Sequence, residues 1–587
     1  MPAQNSLGAF PTEQGTLFRV WTTEADRVAV VVFQDAETPA SEHPLEARGD
    51  GVFETLLAEA GPGCLYKFRL GDTLVPDPYA RELPFGVHGP ARVWQPNYRL
   101  RHPAPDFPAR DMVIYELHIG TFTPEGTYVA ATEKLPYLKN LGVNTLEIMP
   151  VSSFPGERGW GYDGVAHFAP YAPYGPPEDL MRLVDEAHAL GLKVLLDIVY
   201  NHFGPDGNYL WSYSGQYFTS KHKTPWGDAL DYTNPYMRRY VTDSAEHWLH
   251  TYGFDGFRLD ATNEIYDDSQ THVLAELAQR LHALQTPHVL IAEDALNRPE
   301  LITDYHLDGI WADDFHHQVH VLLTGENDGY YSAYNNSVAK LAETINGGWL
   351  FKGQFYPPLQ AARGQPADAL EARAFVYNIQ NHDQVGNRPM GERLNHLVDL
   401  EAYKAASALL LFLPMTPLIF MGQEFAASSP FLYFSHHNEE LGRLVSEGRR
   451  EEFKDFRGFA DPTTREQIPD PQDAATFERS RLIWDEIKAA PHAEVHALYQ
   501  ELLRLRREDP VLSEHTREGL SARHHGDVLW VTRRAGNEER HLLVNFGVEM
   551  MLGDLNPPRG ELLLSNFLES DAALPRHGFL LIAGRSS

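Results

Sequence analysis

From Asp111 to Met421, short apolar runs alternate with longer stretches whose apolar positions recur at helical spacing. Pro177–Leu190 and Met237–Tyr252 follow the 3.6-residue period of a helix. The short runs predict eight strands: Met112–Leu117, Thr145–Met149, Lys193–Asp197, Gly256–Asp260, Val289–Glu293, Gly309–Asp314, Phe375–Gln380 and Pro417–Met421. Because eight parallel strands with crossover helices close on themselves, the pattern predicts an α/β fold built on a (β/α)₈ TIM barrel.

The flanking segments alternate with a period of two, which is typical of β-sheet domains. Before the barrel, Leu17–Trp21, Val28–Phe33 and Leu65–Leu70 predict an immunoglobulin-like β-sandwich that either binds glycan or shapes the barrel mouth. After it, Val528–Thr532, His541–Val544, Leu562–Leu564 and Phe579–Ile582 predict a small antiparallel β domain. The expected domains are residues 1–104, 105–510 and 511–587, with a helix over Ala493–Glu508 closing the barrel.

Charge and composition limit the classes of partner that the protein can bind. A net charge of -32 creates a field that repels phosphate backbones, so a neutral substrate is favoured over nucleic acid. The single cysteine, Cys64, excludes an intramolecular disulfide framework. The apolar run Ala406–Gly422 is divided by Pro414 and Pro417, which predicts a buried helix and strand rather than a membrane span. With no secretory pattern in the first eight residues, the sequence predicts a cytoplasmic protein.

Polar side chains gather where five of the predicted strands end, which is where such barrels place their active sites. They are Asp197 with Asn201 and His202, Arg258 with Asp260, Glu293 with Asp294, the run Asp313, Asp314, Phe315, His316 and His317, and the run Asn381, His382, Asp383 and Gln384. Considered by itself, an aspartate at the end of a strand, such as Asp260, would as readily cap the next helix. Burying unpaired carboxylates is costly, however, so five such ends together indicate one shared site.

The carboxylates at the ends of strands four, five and seven can face one another across the barrel mouth. Two acids held close cannot both ionise easily, which divides a proton donor from a nucleophile. Cleaving a glycosidic bond with retention requires such a pair about 5 to 5.5 Å apart. Arg258 lies on the same strand face as Asp260 and can orient it. His202 and His382 suit hydrogen bonding to sugar hydroxyls, although isolated histidines are more often structural.

Two long loops accompany the barrel, at residues 203–235 and 422–490. The first is rich in aromatic residues: Tyr209, Trp211, Tyr213, Tyr217, Phe218 and Trp226. Trp211 and Trp226 offer flat faces on which sugar rings can stack, and the alternative is a loop packed on itself. The second loop is polar, and no role follows from its sequence.

A metal site is the main alternative chemistry, because His316, His317 and His320 cluster in the sequence. No H-E-x-x-H signature accompanies them, which disfavours catalytic zinc. The glycine-containing stretches also lack the G-x-x-x-x-G-K form of a phosphate-binding loop. The sequence therefore predicts neither a metal nor a cofactor.

Four segments resemble the signature segments of the α-amylase superfamily of retaining α-glucan enzymes. They are Asp197–His202, Gly256–Ala261, Ile291–Asp294 and Asn381–Asp383, and together they are highly specific. The resemblance implies that Asp260 is the nucleophile, Glu293 the general acid/base and Asp383 a carboxylate that stabilises the transition state. It also implies that Arg258, His202 and His382 orient the substrate. The third loop is short where many amylases bind calcium near the position of Asn201, so no calcium requirement is expected.

A narrower resemblance, to the maltooligosyltrehalose trehalohydrolase family, covers nearly the whole chain. It is carried by Tyr115–Thr127, Arg158–Val165, Thr224–Ala229 and Trp311–His317. It implies hydrolysis of the α-1,4 bond next to a terminal trehalosyl unit, release of trehalose and functional coupling to a maltooligosyltrehalose synthase. The implied sugar contacts are Arg258 to Asn263, Asp313 to His317 and His382 to Asn387, including Gln384.

Two alternatives stay open at this point. Glycogen branching enzymes share the domain order and the three carboxylates, and would transfer chains instead of releasing trehalose. A glucan-binding protein without catalysis is disfavoured because all three carboxylates are present.

Overall fold

The computed structural model describes residues 6–284, 288–454, 459, 461–567 and 573–585. Residues 1–5, part of the N-terminus used to judge secretion, and positions 455–458 and 460 of the second loop lie outside the described residues. Eight parallel strands form a closed barrel in chain order: β1 (Ile114–Leu117), β2 (Thr145–Ile148), β3 (Lys193–Ile198), β4 (Gly256–Leu259), β5 (Val289–Ala292), β6 (Gly309–Trp311), β7 (Phe375–Tyr377) and β8 (Thr416–Phe420). The predicted TIM barrel is confirmed.

The barrel strands consist entirely of buried residues, which explains why they read as short continuous apolar runs. The predicted sixth and seventh strands were too long. β6 ends at Trp311 because a helix, Asp313–Thr324, begins two residues later. Its first turn carries Asp313 and Asp314, whose charges favour the positive end of a helix dipole.

The longer helices include those predicted at residues 177–190, 237–252 and 493–508. They are Pro177–Ala189, Pro235–His247, Val273–His282, Asp313–Thr324, Val338–Gly347, Leu400–Phe412, Glu439–Glu452 and His492–Glu508. The predicted helix to Tyr252 changes to a π-helical turn over Trp248–Tyr252 and ends at Gly253, whose φ is 80°. The run Ala406–Gly422 is divided between a helix and β8, as predicted. In the part of the chain that the structure describes, no helix is long and apolar enough to span a membrane.

The N-terminal domain is the predicted β-sandwich. One sheet contains Gly8–Thr12, Gly15–Trp21, Val52–Leu57 and Glu46–Gly49, and the other contains Pro39–Pro44, Val28–Phe33, Leu65–Leu70, Thr73–Val75 and Ala91–Arg92. It packs against the first long loop and the helix after it. Trp21 stacks on Tyr236 with ring centroids 4.1 Å apart, and Tyr213 donates a hydrogen bond to the carbonyl of Pro76.

The C-terminal domain is an antiparallel sheet, also as predicted. Its strands lie in the order Ser521–His525, Val528–Ala535, Glu538–Asn545, Phe579–Arg585 and Glu561–Ser565. Arg533 joins it to the barrel by donating to the carbonyl of Phe412, which ends a barrel helix. We propose the predicted limits at residues 104/105 and 510/511 as domain boundaries, because each lies between the last element of one unit and the first of the next.

Candidate active site

Arg258 is the centre of the site. It lies on β4 with its side chain fully buried, 4.2 Å above the Trp311 ring. Nη1 donates to Asp197 at 2.8 Å and to Asp260 at 2.9 Å, while Nη2 donates to Glu293. One guanidinium group therefore holds carboxylates from β3 and from the ends of β4 and β5.

Asp260 is also held from the other side. Asn201 donates from its amide to Asp260 Oδ2 at 2.8 Å, and its own oxygen lies 2.6 Å from the ring Nδ1 of His202. Asp260 thus accepts one hydrogen bond on each carboxylate oxygen, and one of these comes from a cation. These two hydrogen bonds fix the orientation of the Asp260 carboxylate.

Glu293 lies in a different environment. Burial raises the pKa of Glu293, and the negative charge of Asp260 adds to the effect, while Arg258 opposes it. The Ala261 backbone N–H donates to Glu293 Oε2 at 3.1 Å. Ala261 has a φ of 36°, an unfavourable left-handed conformation for a residue with a Cβ, at the turn that aims this N–H. The two neighbouring acids are therefore differentiated, as a proton donor and a nucleophile require.

His382 lies between Asp383, the third carboxylate of the site, and Glu116 of β1. Its ring Nδ1 lies 2.5 Å from Glu116 of β1, and its Nε2 lies 3.5 Å from Asp383. Burial disfavours the charged ring, but the carboxylates of Asp383 and Glu116 outweigh it and raise the pKa of His382 to about 10. The ring also stacks on Tyr162, which donates to Asp197.

A cavity of about 270 Å³ opens above these groups. It is lined by Trp160, Tyr162, Asp163, His202, Trp226, Asp260, Ala261, Glu293, His382, Asp383, Tyr433 and Phe434. Two larger cavities, of about 490 and 500 Å³, lie where the N-terminal domain meets the barrel, and another of about 490 Å³ lies within the second long loop. None of the strand-end carboxylates lines these three cavities. The smaller cavity is therefore the candidate active site.

Several lining residues were missed by the sequence analysis. Tyr433 and Phe434 come from the second long loop, for which the sequence predicts no role. Trp160, Tyr162 and Asp163 lie in the segment Arg158–Val165, which was noticed only as part of a resemblance.

The segment after β6 is only partly in the site. Asp313 is half-buried and does not line the cavity, and its pKa is raised to about 7, first by burial and then by the charge of Glu293. Asp314, its neighbour, turns away and accepts hydrogen bonds from the side chains of Tyr334, Arg363 and Asn297 and from two backbone N–H groups. The Asp314 carboxylate is thus engaged by protein partners, and a sugar contact at Asp314 stays a prediction.

The remaining residues of that segment are buried by aromatic neighbours. Phe315 stacks on Tyr377 of β7 and is fully buried, and a sugar contact at Phe315 stays a prediction. His316 and His317 are nearly buried beside a tyrosine cluster of Tyr330, Tyr331 and Tyr334. Neither His316 nor His317 lines the cavity, so the structure does not place them with Asp260, Glu293 and Asp383.

Asn387 and Gln384 surround Asp383. Asn387 donates to the Asp383 carboxylate at 3.1 Å, and Gln384 accepts a hydrogen bond from Tyr330. Asn263, after β4, bonds to Glu264 and to the backbone of Ala295. These three residues lie around the site without lining the cavity.

The two tryptophans of the first long loop differ in their position relative to the cavity. Trp226 stacks face to face on His202, with ring centroids 3.9 Å apart, and its other face is open at the cavity rim. Trp211 stacks on Phe218, is half exposed and does not line the cavity.

The described residues contain no group of three or more His, Cys, Asp or Glu side chains arranged to hold a metal ion. Within the suspected histidine cluster, His320 lies 2.7 Å from Glu326, which also pairs with Arg388. Of these three histidines, His320 is thus paired within the protein, whereas the ring Nδ1 atoms of His316 and His317 are buried without a hydrogen-bond partner among the described residues.

Comparison with known proteins agrees with the barrel fold and the N-terminal domain. The family model for the α-amylase catalytic domain matches residues 109–224 and 207–515, and the model for carbohydrate-binding module 48, the isoamylase N-terminal domain, matches residues 6–80. The malto-oligosyltrehalose trehalohydrolase of Deinococcus radiodurans is 54% identical over 92% of this chain and 89% of that protein. This chain belongs to the malto-oligosyltrehalose trehalohydrolase family.

Other relatives agree with this membership of the trehalohydrolase family. The malto-oligosyltrehalose trehalohydrolase of Saccharolobus solfataricus is 38% identical over 84% of this chain and 86% of that protein. A 1,4-alpha-glucan branching enzyme of Rubrobacter xylanophilus is 34% identical over only 43% of this chain and 39% of that protein. A solved structure from Salmonella typhimurium covers 99% of both chains with a TM-score of 0.91 and 37% identity. The family is thus a group of glycoside hydrolases within the α-amylase superfamily.

Proposed function

We propose that this protein hydrolyses the α-1,4-glucosidic bond next to the terminal trehalosyl unit of maltooligosyltrehalose and releases trehalose. The observation that carries the proposal is the sharing of Arg258 by Asp260 and Glu293 at the floor of the cavity. Paired carboxylates of this kind perform retaining glycoside hydrolysis. The trehalose specificity is supported by the relatives of the same family, which carry that name over most of this chain.

In the first step, Glu293 is the general acid. Because its pKa is raised by burial, it retains a proton that it gives to the bridging oxygen as the bond from the anomeric carbon breaks. Asp260, held in place by Arg258 and Asn201, attacks the anomeric carbon and forms a glycosyl ester. Trehalose leaves with the transferred proton, and the maltooligosyl chain stays on Asp260.

In the second step, Glu293 acts as a base. It takes a proton from water, whose oxygen attacks the anomeric carbon while the bond to Asp260 breaks. The configuration is retained after two inversions, and both carboxyl groups return to their starting protonation states.

The other cavity residues orient the sugar in this proposal. Asp383 provides negative charge beside the oxocarbenium-like carbon, and His382, held cationic, donates to a sugar hydroxyl. Burial lowers the pKa of His202 to about 3, so His202 takes part as a neutral ring. Trp226 presents its open face to a glucosyl ring at the rim.

The proposed substrate implies a partner reaction. A chain ending in an α,α-1,1-linked glucose pair must be supplied by an enzyme that rearranges the reducing end of a maltooligosaccharide, so we propose functional coupling to a maltooligosyltrehalose synthase. A cytoplasmic location, where α-glucan stores would be met, belongs to the same proposal.

Product analysis tests this function. The purified protein is given a maltooligosaccharide and, separately, the same chain ending in trehalose, and products are separated by chromatography and followed by NMR. We expect rapid trehalose release from the second substrate, slow attack on the first and initial products in the α configuration. Asp260→Asn is the control and should remove turnover while leaving the melting temperature nearly unchanged. New α-1,6 linkages without trehalose would instead indicate a branching enzyme.

A further inference from the structure

The barrel interior contains a second pair of acids that the proposed mechanism does not use. Glu116 of β1 and Glu147 of β2 are in-register neighbours in the parallel ladder, and both are fully buried. Neighbouring strands lie about 4.8 Å apart, so these two carboxyl groups are held side by side. Two buried carboxyl groups this close do not both ionise readily.

Glu116 has the partners that an anion needs. It accepts the backbone N–H of His382 at 3.0 Å on one oxygen, and the ring Nδ1 of His382 lies 2.5 Å from the other. Because His382 is held as a cation, the contact between them is an ion pair. Of the two neighbouring acids, Glu116 is therefore the one with a cationic partner.

Glu147 has no such partner. Among the residues that the structure describes, neither of its carboxyl oxygens has a hydrogen-bond partner. The charged groups that face it are Glu116 of β1, Asp197 of β3, Arg258 of β4 and His382 after β7. The two cations are already engaged by other carboxylates. Burial, and then Glu116, raise the pKa of Glu147 well above its usual range.

We propose that Glu147 keeps its proton throughout the working pH range and so leaves Arg258 and His382 to the carboxylates around the cavity. As an anion, Glu147 would compete for Arg258, which already serves Asp197, Asp260 and Glu293. As a neutral acid, it fills the barrel centre without drawing that guanidinium away from the reacting groups. The kinetic part of this inference rests on the proposed function.

The in-register neighbour supplies a matched control for the kinetic test. Glu147→Gln replaces a neutral acid by a neutral amide of the same shape, so kcat should stay within about twofold and the pH profile should not move. Glu116→Gln removes the counter-ion of His382, so kcat should fall about 10- to 100-fold, the range for a lost charge-assisted hydrogen bond, and the pH profile should move. A Glu147→Gln variant that loses as much activity as Glu116→Gln, or that shifts the pH limbs, would overturn the proposal.

Infrared spectroscopy tests the same inference without any activity. The difference spectrum between the unaltered protein and Glu147→Gln at neutral pH should contain the carbonyl stretch of a protonated carboxyl group, sensitive to deuterium exchange. A carboxylate band in its place would refute the proposal even if trehalose release were confirmed. Conversely, failure of the proposed function would leave this spectrum unchanged. Should Glu147→Gln not fold, Glu147→Met, neutral and similar in length, serves for the same comparison.

Discussion

Replacing Arg258 by lysine tests how much of the catalysis depends on one shared cation. Lysine keeps the positive charge but presents a single ammonium group, so it cannot reach Asp197, Asp260 and Glu293 at once. Loss of two charge-assisted hydrogen bonds, at about 1.5–3 kcal/mol each, amounts to about 3–6 kcal/mol. If the bonds act fully in the transition state, kcat falls by about 10²- to 10⁴-fold.

The assay for this variant is trehalose release from a trehalose-terminated chain under saturating substrate. Arg238→Lys is the matched control, because Arg238 also pairs with two acids, Asp267 and Glu276, but does not line the cavity. Both variants should remain folded by circular dichroism. An Arg258→Lys enzyme with kcat within tenfold of the unaltered protein would refute the view that the shared guanidinium organises the reacting carboxylates.

Three further results are expected. The pKa of His382 is raised from 6.5 to about 10 in the folded protein. The contribution of its charge to stability is therefore complete below pH 6.5 and is lost as the pH rises through 10. The melting temperature of the unaltered protein should fall more steeply over that range than the melting temperature of His382→Gln. Trp226→Ala should raise KM about 3- to 10-fold with a smaller effect on kcat, and Trp226→Phe should restore most of the affinity; a fall in kcat alone would contradict stacking. Activity should survive treatment with a chelator, and a loss that calcium reverses would disprove this expectation.

The barrel was predictable because burial on both faces makes each strand a short apolar run. Such a run carries no information on where the strand stops, which is why the predicted β6 extended over residues that begin a helix. The clustering of Asp260, Glu293 and Asp383 followed from the rule that parallel strands share one carboxyl edge. Their roles in catalysis stay predictions.

The walls of the cavity could not be predicted in the same way. Asp313 and Asp314 are identical in type and adjacent in sequence, yet successive helix positions point about 100° apart, so Asp314 accepts a hydrogen bond from Arg363 while the charge of Glu293 helps to raise the pKa of Asp313, and neither residue lines the cavity. Tyr433 lies on a loop far along the chain, and only long-range packing brings it to the cavity. Neither periodicity nor residue type contains that information.

The contact between the sandwich and the first long loop limits how far this enzyme could be shortened. Removing the N-terminal domain would uncover the Trp21 side of Tyr236 and leave the Tyr213 hydroxyl without its acceptor, the carbonyl of Pro76. The same loop places Trp226 at the cavity rim. The position of Trp226 therefore depends on contacts between this loop and the N-terminal sandwich. A functional miniature of this protein would therefore have to retain the sandwich together with the barrel.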